Sequence, residues 1–521
     1  MITPLGLLNT TALTVPGLYV QIVPPPIAIN GVASNVLGIV GTSTWGPVNV
    51  ATVIGTPGEY QQSFGPQQNR SYDLGTAVSI AAMQGASAFK CVRVTDGTDM
   101  AATVEVATNC ITFTARYTGT LGNAITVALA AAPVSGNFNV TVSLPAIGYA
   151  QTFPNITGTG AAFWTALANA INNGIPGTLV GPSPVISAVA GAGTTSPTAE
   201  TFTLTGGTDG VTSVTGTTLE GADTAPRTGM YALRSQGCGV VMLADNALTS
   251  TFTNQEAFGL SEGAYMVATM PASVGTPSST ISTQQAALLA AGASSYALKV
   301  MFGDWVYWYD TVNQITRLVS PQAFAAGRLA ALAPNESACN KPVYGVVGTQ
   351  QSGLPGSTQA QSYADADLQA IFGSGSAPSF DLIMNPIPAG AMWGIAGGFN
   401  TSATPGIDDD SYTRMTNYIA VTLNAAMGKF VGQTITPALL SSISATLSNF
   451  LSGLLNQGLL SMVTTPAGAV VLPYTVTCNA SNNQQSRTSI GYVQADVSVT
   501  YEGINKKFLV NLQGGATVVQ H

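Results

Sequence analysis

Apolar positions recur along this chain in two rhythms. "NVLGIVGT" (35–42) is a short, nearly unbroken apolar run of the kind that forms a buried strand. In "GYVQADVSVTY" (491–501) Val493, Ala495, Val497, Val499 and Tyr501 fall on one face, and Gln494, Asp496, Ser498 and Thr500 on the other. "KKFLVNL" (506–512) repeats that alternation with Phe508, Val510 and Leu512, and "EGIN" between the two runs is a turn, so the pattern predicts a closing strand pair. Helical spacing appears in Met415, Ile419, Leu423, Ala426 and Phe430, and again in Leu440, Ile443, Leu447, Phe450 and Leu454 after Thr436-Pro437. Asp73 is placed to open a helix through "LGTAVSIAAMQG", and "SPQAFAAGRLAALAPN" opens another at Ser320-Pro321.

These elements divide the chain. Residues 1–30 read as an extended amino-terminal arm, in which Leu18, Val20 and Ile22 alternate with Tyr19 and Gln21 before the Pro24–Pro26 stop. Residues 31–97 have an α/β texture. From 98 to 209 strands crowd together with one helical stretch near 161–174, a pattern that predicts an inserted β-rich outer domain. The α/β texture returns over 210–487, and 488–521 forms the closing strand pair or arm. The fold class expected is a mixed α/β (α+β) core domain, discontinuous in sequence, with an inserted β-rich domain and extended terminal arms.

Composition then changes the picture. Only 15 basic and 23 acidic residues occur among 521, so 7% of the chain is charged where about 25% is usual. A large chain with so little surface charge is suited to covering itself with copies of itself; a Ser/Thr-rich extracellular surface is the alternative. The net charge of −8 and the scattering of the basic residues argue against nucleic acid as a partner. No run of 18 apolar residues is read as a membrane span, and the amino terminus lacks the basic start of a signal peptide. Cys91, Cys110, Cys238, Cys339 and Cys478 are odd in number and widely spaced, which suits buried free thiols better than disulfides or zinc.

Candidate chemistry is sparse. The only histidine is His521, the last residue, which leaves no histidine-based triad or metal site within the fold. The stretch Asn30–Gly65 looks like a nucleotide loop, an apolar strand followed by glycines, but it holds neither G-x-x-x-x-G-K-[ST] nor G-x-G-x-x-G. Gly38, Gly41 and Gly46 are therefore read as close-packing and turn residues. Asp408–Asp410 could hold a cation, or could simply favour the positive end of the helix that follows. The aromatic run "WVYWYD" (305–310) could stack a sugar or a base; on a strand it reads better as core plus one interface-facing ring. No catalytic residue, cofactor or metal is expected, and the chain is read as not an enzyme.

Several stretches, in order, resemble contractile-tail sheath proteins. These are "PGLYVQIV" (16–23), "GIVGTSTWGPVNVATVI" with "EYQQSFG", "ARYTGTLGNAITVAL" (115–129, with Thr118 where proline is common), "LTGGTDG" (204–210), "VYWYD…LVSPQAFAAGRLAAL" and "YEGINKKFLVNL". The resemblance spans nearly the whole chain and implies a structural subunit of stacked sheath rings in the tail of a virion, assembled in the host bacterial cytoplasm. It further implies contraction around an inner tail tube protein that is driven through the host envelope for genome ejection. Baseplate and tail terminator proteins are the other partners implied, with no nucleic acid bound and no membrane insertion. It places inter-subunit arm contacts at Leu18, Tyr19, Val20, Ile22, Val497, Val499, Tyr501, Phe508, Val510 and Leu512, with Gly17, Pro24–Pro26 and Gly491 as flanking links. The uncharged helix starting at Pro437 is a candidate tube-facing helix through Ser441, Ser444, Ser448, Asn449 and Ser452; the helix over 411–431 is the alternative. The sheath of a bacterial contractile particle of the pyocin type is a close variant, and a surface-layer or adhesin protein or a hydrolase are more distant ones.

The interval between Lys429 and Arg487 contains no charge at all. Contacts made there have nothing for salt to screen. Assembly is therefore expected to be nearly independent of salt, with polymer yield by sedimentation constant within about twofold from low salt to about 1 M, where screening acts within ~3 Å. A collapse of yield with salt would refute this.

Overall fold

The computed structural model describes residues 2–3, 20–21, 29, 31–272, 275–356, 363–373 and 378–512. The chain forms two compact units: 33–417 with 504 onward, and 418–503 with the described residues before 33. The reading of 210–487 as one continuous core segment is corrected by this division. No shift of composition marks the boundary, because one amphipathic helix runs through it.

The larger unit starts at β1 (Leu37–Gly41), buried along its whole length, and continues through β2 (Thr52–Ile54), α1 (Pro57–Phe64), α2 (Leu74–Met83) and β3 (Phe89–Arg93). The glycines after β1 serve the backbone. A Cβ on Gly41 would stand 2.8 Å from the Tyr72 carbonyl oxygen, and Gly46 turns the chain at φ +95°. The N-terminus of α2 is occupied by the chain's own Asp73 carboxylate, which accepts from the Thr76 amide at 2.8 Å.

After β3 the chain enters β4 (Ala101–Val106), β5 (Ile111–Thr118), β6 (Thr126–Ala131), β7 (Phe138–Leu144), β8 (Tyr149–Ile156), helix α3 (Ala161–Asn173), β9 (Ile186–Ala190) and β10 (Glu200–Thr203). They make two antiparallel sheets, β8-β7-β6-β10 and β9-β5-β4, around a separate core that includes Phe113, Val127, Val142, Phe153, Phe163 and Leu167. Trp45 reaches into this core from the loop after β1 and meets Tyr117 edge-on at 5.3 Å. Beneath it the buried Arg93 guanidinium donates to the carbonyls of Gly46 (2.9 Å), Thr118 (2.6 Å) and Asp209 (3.3 Å). The Asp209 carboxylate accepts from the Thr120 amide (2.7 Å) and from Arg70 (2.7 Å). The β-rich lobe is thus braced at the point where its chain leaves and re-enters, with few degrees of freedom left at its root.

The chain then completes a six-stranded sheet with β11 (Val240–Leu243), helix α4 (Phe252–Glu262), β12 (Tyr265–Thr269), helix α5 (Pro277–Ala290) and β13 (Leu298–Met301). The order is β13-β12-β11-β1-β3-β2, all parallel except β2 at the edge. Such a sheet must be covered on both faces. Next come β14 (Val306–Asp310), β15 (Ile315–Val319), helix α6 (Gln322–Ala331) and β16 (Val346–Thr349), the strands forming the meander β15-β14-β16. Helices α2 and α6 cover one face of the main sheet and α4 and α5 the other. In the aromatic run Trp308 is buried and Tyr309 is 47% exposed. The larger unit ends in the first turns of α7 (Asp410–Met427); α8 (Pro437–Asn456) follows in the smaller unit.

One ammonium in the larger unit is fully buried. Lys299, on β13, is fully buried and donates to Asp381 at 2.5 Å, to Asp410 at 3.0 Å and to the Phe399 carbonyl at 3.0 Å. Asp381 also accepts from the amides of Leu382, Gly397 and Gly398, and Asp410 from Tyr265 Oη at 2.5 Å and the Ala338 amide at 3.2 Å. Burial alone would lower the Lys299 ammonium, but Asp381 and Asp410 outweigh it and raise its pKa. Burial would raise the Asp410 carboxyl, but Lys299 and Tyr265 outweigh it and hold it below the usual range. Within the Asp408–Asp410 run, Asp410 is thus paired with the chain's own Lys299.

Two outcomes follow from this architecture. Gly119 has φ +132°, and a Cβ there would lie 2.0 Å from the Thr44 carbonyl oxygen, whereas Gly136, at φ +83°, has no neighbour within 4 Å. Gly119→Ala is expected to cost about 3 kcal/mol or more by backbone shift at the lobe's root, and Gly136→Ala about 1 kcal/mol, in urea unfolding curves. Equal losses would show that the lobe's root is not rigid. Lys299→Met is expected to cost about 3–5 kcal/mol, because it strands two buried carboxylates. The depressed Asp410 contributes stability present above the unfolded value near ~3.9 and lost as pH falls through its folded value. The raised Lys299 contributes stability present below ~10.4 and lost as pH rises through its folded value. The gap between wild type and Lys299→Met should therefore shrink toward acid pH, as the stranded carboxyls take up protons, and again above pH ~10, as the wild-type ammonium is lost; a gap independent of pH would contradict the ion-pair account.

Candidate assembly interface

The smaller unit is organised around α8. Thr436 caps it, its Oγ1 accepting from the Leu439 amide at 3.1 Å, and Pro437 supplies the first helical residue. Leu439, Leu440, Ile443 and Leu447 form a cluster with Cys478, joined by Leu423, Met427 and Phe430 from the end of α7 and by Val476, Val493 and Val497. Burial raises the Cys478 thiol. Helix α8 is long and apolar enough to cross a membrane by length and composition, at mean hydropathy 1.4, yet its apolar stripe from Leu439 to Leu454 is buried in the protein. On the other side Ser441 and Asn449 are exposed and Ser444, Ser448 and Ser452 half-buried, so the candidate tube-facing residues share an uncharged, polar strip.

Two strands pack on this helix: β17 (Tyr474–Thr477) and β18 (Asp496–Val499), antiparallel, with Val476 opposite Val497 and Tyr474 opposite Val499. Asn482 and Asn483 tie the connecting loop, donating to the Thr477 and Gln494 carbonyls at 2.7 and 2.8 Å. Hydrogen bonds from Gln494 and Asn482 hold the Asp496 carboxyl below the usual range. Among the described residues this sheet has only two strands, so each outer edge presents unpaired backbone groups. A two-stranded sheet is marginal by itself, and such edges are templates for added strands. A cavity of about 620 Å³, lined by Met427, Phe430, Val431, Ile435, Tyr492 and Val493, opens beside it.

The predicted closing pair of 493–501 with 506–512 is corrected here. β18 takes its partner from upstream, and no strand is formed over 501–512. A long-range contact holds the 506–512 run elsewhere. Lys506 is drawn onto the larger unit, where its ammonium pairs with Asp409 at 2.9 Å, donates to the Gly398 carbonyl at 3.0 Å and stands 3.5 Å from the centre of the Phe399 ring. Beyond that anchor Phe508, Leu509, Val510 and Leu512 are 82%, 83%, 65% and 90% exposed, a largely apolar segment without cover among the described residues.

The sequence-predicted contact residues therefore separate. Phe508, Val510 and Leu512 are bare; Val497, Val499 and Tyr501 are half-buried, with Val497 in the α8 cluster. Val20 lies in a two-residue strand, Val20–Gln21, pairing in parallel with Ile2–Thr3. Leu18, Tyr19 and Ile22 lie outside the described residues. Periodicity missed β17, because four residues of "YTVT" carry too little pattern, and it missed Lys506, which reads as an ordinary surface charge. A lysine in so uncharged a chain was the available signal for Lys299, which interrupts the apolar run "ALKVM".

No family model matches the sequence, and no curated protein matches it. Among solved structures the likeness runs the length of the chain. The sheath tail protein from Listeria innocua is 14% identical with a TM-score of 0.58, covering 88% of this chain and 90% of its own. The sheath tail protein from Desulfitobacterium hafniense is 15% identical with a TM-score of 0.55, covering 89% and 95%. The sheath complex of an extracellular contractile injection system, PVC, in its contracted state is 11% identical with a TM-score of 0.53, covering 97% and 98%. The mixed α/β architecture built up above shares its fold with these sheath proteins.

Proposed function

We propose that this chain is the structural subunit of a contractile tail sheath, which polymerises around an inner tail tube and contracts to drive the tube through a host envelope for genome ejection. The observation that carries the reading is the likeness in fold over nearly the full length of both chains to subunits named as sheath proteins, one of them in a contracted assembly. The chemistry agrees with a polymer. The β17–β18 sheet has open edges, the carboxy-terminal segment is apolar and exposed, and main-chain pairing of one with the other in a second copy would satisfy both. Head-to-tail contacts that do not close build helical polymers. Contraction is then a repacking of rigid bodies and needs no nucleotide. Tube, baseplate and terminator proteins are the partners proposed, and a virion tail the location.

The sheath of a bacterial contractile injection particle is the second reading. It is favoured by the greater share of this chain covered by the injection-system sheath, 97% against 88–89% for the two sheath tail proteins. Particles purified from the native source separate the two: a DNA-filled capsid on the tail supports the virion reading, and capsid-free tails overturn it in favour of the injection particle.

Assembly itself is read by negative-stain microscopy of the purified full-length chain, with hollow cylinders as the expected outcome. Flat lattices or single particles would overturn the sheath reading. Deletion of residues 508–521, which spares the Lys506 anchor, is expected to leave melting unchanged within about 2 °C, less than the shift from ~1 kcal/mol in a large domain, and to abolish cylinders. Normal cylinders from the truncated chain would overturn the arm-exchange account.

A further inference from the structure

The proposed lattice requires each arm to be fixed somewhere on its own subunit, because a strand given to a neighbour transmits load only if its root holds. The structure supplies such a root at each end. The chain leaves the larger unit after Asn417 and returns to it at Ile504. Two residues after the return, Lys506 is clasped by the Asp409 carboxylate, the Gly398 carbonyl and the face of Phe399, with both Lys506 and Asp409 only 17% exposed. Asp409 stands at the start of α7 and accepts from the Ser411 amide at 2.8 Å. The loop under the clasp is held from below. The Gly398 amide donates to Asp381 at 2.8 Å, and the Phe399 carbonyl accepts from the buried Lys299. At the other end the root of the amino-terminal segment also rests on α7. The Val32 amide donates to Thr422 Oγ1 at 3.2 Å, and Gly31 lies against the Tyr418 ring so closely that a Cβ there would stand 1.8 Å from its hydroxyl.

We infer that Lys506 is the pin that fixes where the carboxy-terminal arm leaves the subunit, so that a neighbouring copy holding residues beyond 507 pulls on Asp409, the residue just before α7. This rests on the sheath reading for the identity of the neighbour, a second copy of this chain; the clasp itself does not. A half-buried ammonium held by a carboxylate, a carbonyl and an aromatic face is a directional fastening, whereas an apolar contact at the same place would let the chain slide. Its position bears on assembly, since releasing the pin leaves the exposed apolar segment intact but loosens its origin.

The test uses the full chain with Lys506→Met and Asp409→Asn, and Lys506→Arg as the conservative variant. In the free subunit chymotrypsin cuts after the exposed Phe508 in every form, which serves as internal reference. Cutting after Tyr501, upstream of the pin, is expected to accelerate at least tenfold relative to Phe508 in Lys506→Met and Asp409→Asn and to stay at the wild-type ratio in Lys506→Arg. Cylinders of the two unpinned variants are expected to form but to dissociate at clearly lower urea than those of wild type, with Lys506→Arg again like wild type. An unchanged Tyr501-to-Phe508 ratio overturns the pin. A changed ratio with cylinders as urea-resistant as wild type overturns the claim that the pin carries load, while leaving the sheath reading intact. Failure of wild type to form cylinders strikes at the sheath reading instead, and the cleavage ratio then still decides on the clasp.

Discussion

A single buried ammonium organises the part of the larger unit on which the carboxy-terminal segment is pinned. Lys299 sits on the last strand of the six-stranded sheet with no exposure, and two carboxylates and a carbonyl converge on it. One lysine and two aspartates leave the cluster formally negative, a state that burial penalises heavily unless donors surround it. Three amides on Asp381 and a tyrosine hydroxyl with an amide on Asp410 provide them. Because Asp381 precedes the 397–399 loop in the chain and Asp410 begins α7, satisfying this one charge fixes the loop, the helix start and the sheet edge together. Removing it would free all three at once, which is why its contribution is cooperative rather than pairwise.

How much of this was legible in the sequence varies with the kind of signal. Long periodic runs are read correctly: the stripe Leu440, Ile443, Leu447, Phe450 and Leu454 is buried on α8, and Asp73 caps the helix that its position announces. The glycines after "NVLGIV" are explained by packing against the Tyr72 backbone and a turn at Gly46. Where a residue's partner is distant in sequence the reading fails. β18 pairs with β17 across eighteen intervening residues, 478–495, instead of with the adjacent 506–512 run, because alternation says which face a residue shares but not which strand lies beside it. The clasp at Lys506 and the Lys299 cluster join positions about 80 to 110 apart, and nothing local encodes them.

The arrangement also clarifies why so little charge suffices. Of the few ionisable residues, many are spent inside: Lys299, Asp381, Asp410, Arg93 and Asp73 are buried and paired or capping. They specify geometry at the lobe root, at a helix start and at the beginning of α7, where an apolar contact would tolerate several registers. The surface is left to Ser, Thr, Asn and Gln, which hydrogen-bond to water or to a neighbouring backbone with similar ease.

Fold likeness at 11–15% identity bears on which features such a sheet-and-lobe scaffold demands. In this chain the scaffold is carried by patterns: continuous apolar strands in a two-faced sheet, alternation in the lobe, and a helix with one apolar stripe. None of these needs a particular residue. A specific side chain is needed only where backbone groups must be met in one geometry, as Arg93 meets three carbonyls or Gly119 passes the Thr44 oxygen. If work is done by repacking such subunits, the rigid roots and the open edges have opposite duties. The roots must survive the change with every hydrogen bond intact, and the edges must accept a neighbour in both states. Among the described residues, buried charge lies at the roots and open strand edges lie at the β17–β18 hairpin, so the two duties fall on different residues.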